Sequence, residues 1–72
     1  MISPLTDEHY RILEAARDGR LRCNAAGRWI IDGENVRPER KARETCLNRM
    51  LISPWPNPVR ITTKGLRELA NR

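Results

Sequence analysis

A chain of 72 residues with a formal charge of +5, 39% hydrophobic residues, two Trp, one Tyr and no Phe is one domain, residues 1–72, close to the size at which a single core barely offsets chain entropy. Cys23 and Cys46 lie too far apart for a Cys-x-x-Cys metal pair and one histidine completes no site, so neither a structural zinc nor any other cofactor is expected. No apolar run approaches the ~20 residues of a membrane span, so no membrane partner is expected, and two isolated cysteines behind no recognisable leader read as reduced thiols of a cytoplasmic protein.

The first helix is expected over Asp7–Arg17. Thr6 is placed to cap it, Leu5 and Tyr10 to staple it, and Asp7 and Glu8 put acid where the helix dipole favours it. Ile12, Leu13 and Ala16 fall at inward spacing and Gly19 stands just past the end. His9 reads as a surface or half-buried residue of the helix start rather than a catalytic base. Residues 20–33 read as a hairpin, with Leu21-Arg22-Cys23 going out, Asn24-Ala25-Ala26-Gly27 turning, and Arg28-Trp29-Ile30-Ile31 returning to Asp32-Gly33. Trp29, flanked by apolar residues, is expected in the core over the first helix.

A second helix is expected from Pro38 to Leu51, with proline at its first position. At 100° per residue, Ala42, Cys46, Leu47 and Met50 share one arc, while Arg37, Lys41, Glu44, Thr45 and Asn48 share the opposite one. Arg43 falls within the apolar arc, where its stem must snorkel to reach water. Prolines 54, 56 and 58 then force a bend around Trp55, since proline lacks the amide hydrogen that a ladder needs. Packing against the domain and exposure both remain open for Trp55. The basic strand Val59-Arg60-Ile61 runs into a final helix capped by Thr62, with Ile61 and Leu66 as its staple.

Charge is unevenly spread: residues 1–19 carry four acids against two arginines, whereas residues 20–49 carry eight cations against four acids and residues 50–72 four cations against one acid. Twelve of the fourteen cations are arginine, which suits bidentate contacts to phosphate or guanine, although a GC-rich coding bias would enrich arginine too. Acid-base chemistry needs paired titratable groups in a pocket, and His9 is a single histidine at an acidic helix start, so catalysis is not expected.

Cys46-Leu47-Asn48-Arg49-Met50-Leu51-Ile52 resembles the end of the recognition helix in winged-helix proteins, the wing-bearing variety of helix-turn-helix domain, where the pattern is usually Leu-x-x-x-Gly-Leu-Ile. Ile61-Thr62-Thr63-Lys64-Gly65-Leu66 is similar to the Leu-Thr-x-Lys-Gly opening of the helix after the wing. The resemblance implies an α+β fold, a small winged-helix-like domain of three helices with a short β-hairpin and a wing at 53–60. It departs from the family at residues 20–36, where a hairpin leaves no room for the usual middle helix. It departs again at Met50, which stands where the family often has glycine, so that the helix should end without the left-handed position glycine supplies.

The function so implied is that of a small basic DNA-binding protein, a transcriptional regulator of bacterial or phage type, contacting double-stranded DNA through the helix 38–51 and the wing. Arg37, Arg40 and Lys41 would reach phosphates or base edges, Thr45 and Asn48 bases, and Arg60 and Lys64 wing-side phosphates, with Trp55 or Asn57 along the minor groove. The alternative is a phage-type inhibitor or adaptor, for example of a host defence or nucleic-acid-processing complex. It would dock on an acidic protein surface with Trp55 as its anchor. A monomer and a weak homodimer both stay open, with Leu66, Leu69 and Ala70 of the final helix the only spare apolar face.

Overall fold

Local capping signals set the first helix. In the computed structural model, which describes residues 5–53 and 58–71, α1 covers Asp7–Arg17 with Thr6 as the extended cap. The Thr6 amide donates to His9 Nδ1 at 3.0 Å, and the Thr6 hydroxyl lies 2.7 Å from the same nitrogen. The imidazole therefore does what Glu does in a capping box. At the far end Gly19 takes φ 74°, and the amides of Gly19 and Arg20 reach back to the carbonyls of Ala16 (3.3 Å) and Ala15 (2.9 Å), which is the Schellman arrangement.

The hairpin forms as the alternation requires. β1 (Leu21–Cys23) pairs antiparallel with β2 (Trp29–Ile31), Leu21 opposite Ile31 and Cys23 opposite Trp29. Asn24 closes the turn, its side-chain oxygen accepting from the amides of Ala26 (3.0 Å) and Arg28 (2.9 Å).

α2 covers Arg40–Asn48, shorter at both ends than the expected 38–51. Pro38 stays outside it because Glu39 is the extended cap, at φ −65° and ψ 135°, held there by a 3.1 Å hydrogen bond from its amide to Glu8 of α1. At the other end Met50 adopts φ 59°. The Met50 amide donates to Leu47 (3.0 Å) and the Leu51 amide to Cys46 (2.8 Å). This is the same Schellman closure as at Gly19, so the helix does use the left-handed position, with methionine in it. Met50 consequently leaves the apolar arc and is 70% exposed.

β3 (Ile52–Ser53) and β4 (Arg60–Ile61) form a second antiparallel hairpin, Ile52 opposite Ile61. Trp55 and Asn57, together with Pro54 and Pro56, lie outside the described residues. The Val59 amide donates to Leu21 (2.9 Å) and so ties the second hairpin to the first.

α3 (Thr63–Ala70) begins as expected with Thr62 as cap. The Thr62 hydroxyl accepts from the Gly65 amide (3.1 Å) and donates to the Met50 carbonyl (2.7 Å), while the Thr62 amide donates to the Leu51 carbonyl (3.0 Å). Gly65 is required by proximity, since a Cβ there would lie 2.2 Å from the Leu51 carbonyl oxygen. The described residues form an α+β domain of three helices and two small antiparallel hairpins. α1 lies at its centre, against both other helices.

One core joins these elements. Ile12, Leu13, Ala15 and Ala16 meet Leu21, Trp29 and Ile31 of the first hairpin, Ala42 and Cys46 of α2, and Leu51, Ile52 and Val59 around the second. Leu69 packs against its edge, while Leu66 is 45% exposed and Ala70 is exposed. The staple partner of Ile61 therefore faces solvent more than the pattern implied. Among the described residues no helix is long and apolar enough to cross a membrane.

Candidate nucleic-acid interface

The segment joining β2 to α2 is held by α1. Arg11 Nε donates to Glu34 (2.6 Å), its Nη1 to Glu8 (2.7 Å) and its Nη2 to the Val36 carbonyl. The hydrogen bond to Glu34 does most to raise the Arg11 guanidinium above its ordinary pKa, and burial opposes it. Arg20 adds a looser contact to Glu34 (3.7 Å) and Arg22 a tight one to Asp32 (2.6 Å). This network fixes where Arg37 and Pro38 stand.

They stand on one wall of a cleft of about 480 Å³, with Arg40 and Arg43 of α2; the end of the first hairpin, Gly27 to Trp29, forms the other wall. Arg43 lies over the Trp29 ring with its guanidinium carbon 5.3 Å from the ring centroid. That contact explains a cation in the apolar arc. The guanidinium lies over the aromatic face, where a cation is attracted by the ring, and the tryptophan it meets is only 8% exposed. Among the described residues no carboxylate pairs with Arg28, Arg37 or Arg43. Arg40 meets Glu44 at 3.1 Å on an open surface, where such a pair contributes little.

Of the residues expected to touch DNA, the fold brings Arg37 and Arg40 together in this cleft. Lys41 and Asn48 are exposed on the outer face of α2, continuous with Arg40 and Glu44. Thr45 is half-buried, and its hydroxyl donates back to the Lys41 carbonyl at 2.9 Å, so its proton is committed to the helix. Arg60 on β4 and Lys64 in the first turn of α3 are exposed and do not line the cleft. Sequence reasoning missed Arg28, Trp29 and Arg43 as site residues. The signal for them was the pairing of an ill-placed arginine with a tryptophan on the returning strand.

Compared with protein-family models, with curated proteins and with solved structures, the chain matches none.

Proposed function

We propose that the chain is a small duplex-DNA-binding module of winged-helix type, acting as a transcriptional regulator, with α2 as the element presented to the major groove and the β3–β4 hairpin as the wing. The observation that carries this reading is the outer face of α2. Arg40, Lys41, Glu44 and Asn48 are all exposed there, with no apolar side chain among them, and Arg40 continues that face into the arginine-lined cleft. Cations reach phosphates from such a face, and Asn48 has the amide that matches an adenine edge. Arg60 and Lys64 supply the wing-side charges.

The test is fluorescence anisotropy of a labelled random duplex titrated at low and moderate salt. Binding should weaken steeply with salt, and Lys41→Ala should weaken it for all sequences while flattening the slope of log K against log salt by about 0.9, one released counterion. No binding at low salt rejects the reading. An unaltered slope in the variant rejects the Lys41 contact.

A further inference from the structure

The cleft between the first hairpin and the start of α2 includes two arginines, Arg28 and Arg43, that the exposed face of α2 does not use. We propose that it is a phosphate site, seating consecutive phosphates of one nucleic-acid strand between the hairpin turn and the first turn of α2. The proposal rests on the DNA reading for the identity of the strand and on the cleft alone for the phosphate chemistry.

Among the described residues, four arginines line the cleft and no acidic residue does. Left alone, like charges gathered in this way repel; a polyanion turns the cluster into an attractive one. Arginine is also the side chain whose planar fork matches phosphate oxygens two at a time. Arg43 lies over the Trp29 ring, and its N–H donors have no hydrogen-bond partner among the described residues. The start of α2 adds to this. Glu8 takes the amide of the cap, Glu39, but Glu39 makes no side-chain cap bond and the first turn holds no acid, which leaves the first-turn amides of Arg40 and Lys41 without a capping side chain. The volume, about 480 Å³, falls in the range of roughly 300–1,000 Å³ that holds small organic ligands. It has room for a nucleotide-length piece of strand rather than a single bare ion. Arg40 belongs both to the cleft and to the outer face of α2, so a strand leaving the cleft runs directly onto that face.

Arg28→Gln is the cleanest test, because the Arg28 side chain is exposed and the turn is closed by its backbone amide, which the substitution keeps. Anisotropy titrations of the full chain on a random duplex across a salt series should show the slope flattened by about 0.9 in Arg28→Gln and by about 1.8 in Arg28→Gln/Arg37→Gln. Thermal melting should place both variants at the wild-type midpoint. A slope equal to wild type in the double variant overturns the site while leaving the DNA reading intact. Wild-type protein that binds no duplex overturns the DNA reading, and the cleft is then judged by NMR titration with inorganic pyrophosphate. Shifts of the Trp29 indole and Arg28 amide that Arg28→Gln abolishes assign the phosphates to a free polyphosphate instead of a strand. No shift at either position overturns the site altogether.

Discussion

Met50 offers a direct measurement of what one backbone dihedral contributes. Two helices in this chain end in the same Schellman closure, one with Gly19 at φ 74° and the other with Met50 at φ 59°. For a residue with a Cβ the left-handed conformation costs roughly 1–2 kcal/mol, and glycine escapes most of that. The Met50 side chain is 70% exposed, so little burial is lost on removing it. Against the gain stands the greater freedom of glycine in the unfolded chain, about 0.5–1 kcal/mol. Met50→Gly should therefore stabilise the domain by roughly 0.5–1 kcal/mol, raising the thermal midpoint by about 2–8 °C at this chain length. Gly19→Ala is the mirror experiment. A Cβ at that position meets nothing within 4 Å, so the loss, expected at about 0.5–1 kcal/mol once the smaller freedom of alanine in the unfolded chain is set against the strain, is conformational alone. Melting followed by circular dichroism reads both. A Met50→Gly variant that melts at or below wild type would refute the reasoning, and would mean that the methionine makes contacts worth as much as the strain.

At Gly65 the balance runs the other way. Alanine there adds about 1 kcal/mol of helix propensity, but its Cβ would lie 2.2 Å from the Leu51 carbonyl oxygen and 2.7 Å from Ile61 Cγ1. Since backbone must move to relieve the clash, Gly65→Ala should lose about 2 kcal/mol or more in urea unfolding, and an unchanged midpoint would contradict the close approach. Cys46 predicts an alkaline dependence. Burial pushes its thiol up to about 11, above the unfolded value, so folded and unfolded chains are alike below about pH 8.5. As pH rises further the unfolded chain loses the proton first and stability falls, by roughly 1.4 kcal/mol per pH unit until the folded thiol also ionises. Cys46→Ala should lose that part of the slope between pH 8.5 and 10, and an identical slope in both proteins would remove the cause assigned here. In native protein a thiol reagent should label half-buried Cys23 and spare Cys46.

What the sequence made legible was decided by neighbours along the chain. Thr6 and Thr62 cap α1 and α3 where the pattern placed them, and the hairpin turns on Asn24, because each signal acts within a few residues. The ends of α2 were misplaced because both are settled from a distance. Glu8 holds the Glu39 amide outside the helix, and Thr62 takes the Met50 carbonyl at the far end. The cleft was hidden for the same reason. Arg28 and Arg43 belong to separate elements, and only the fold of the hairpin onto α2 shows that they line one cleft from opposite walls, with Arg43 over Trp29.

Pairing, more than net charge, separates seven of the arginines into two working groups, with Arg40, which lines the cleft and also meets Glu44, between them. Arg11, Arg20 and Arg22 each meet carboxylates in the segment 32–34, and Arg17 meets Asp18, holding that carboxyl below its ordinary pKa through their hydrogen bond. These arginines belong to the scaffold, and Arg11 above all sets the path from β2 into α2. Arg28, Arg37 and Arg43 have no such partner among the described residues and gather at the end of that path. The consequence is that the two groups respond to different perturbations. Loss of Arg11 releases Glu8, Glu34 and the Val36 carbonyl together and disturbs the fold around the cleft. Loss of Arg28 removes a charge from the cleft and leaves the contacts that shape it in place. A domain of this size has few residues to divide between holding its shape and meeting a polyanion, and here the division follows which arginines the acids of α1 and the β2–α2 segment have already neutralised.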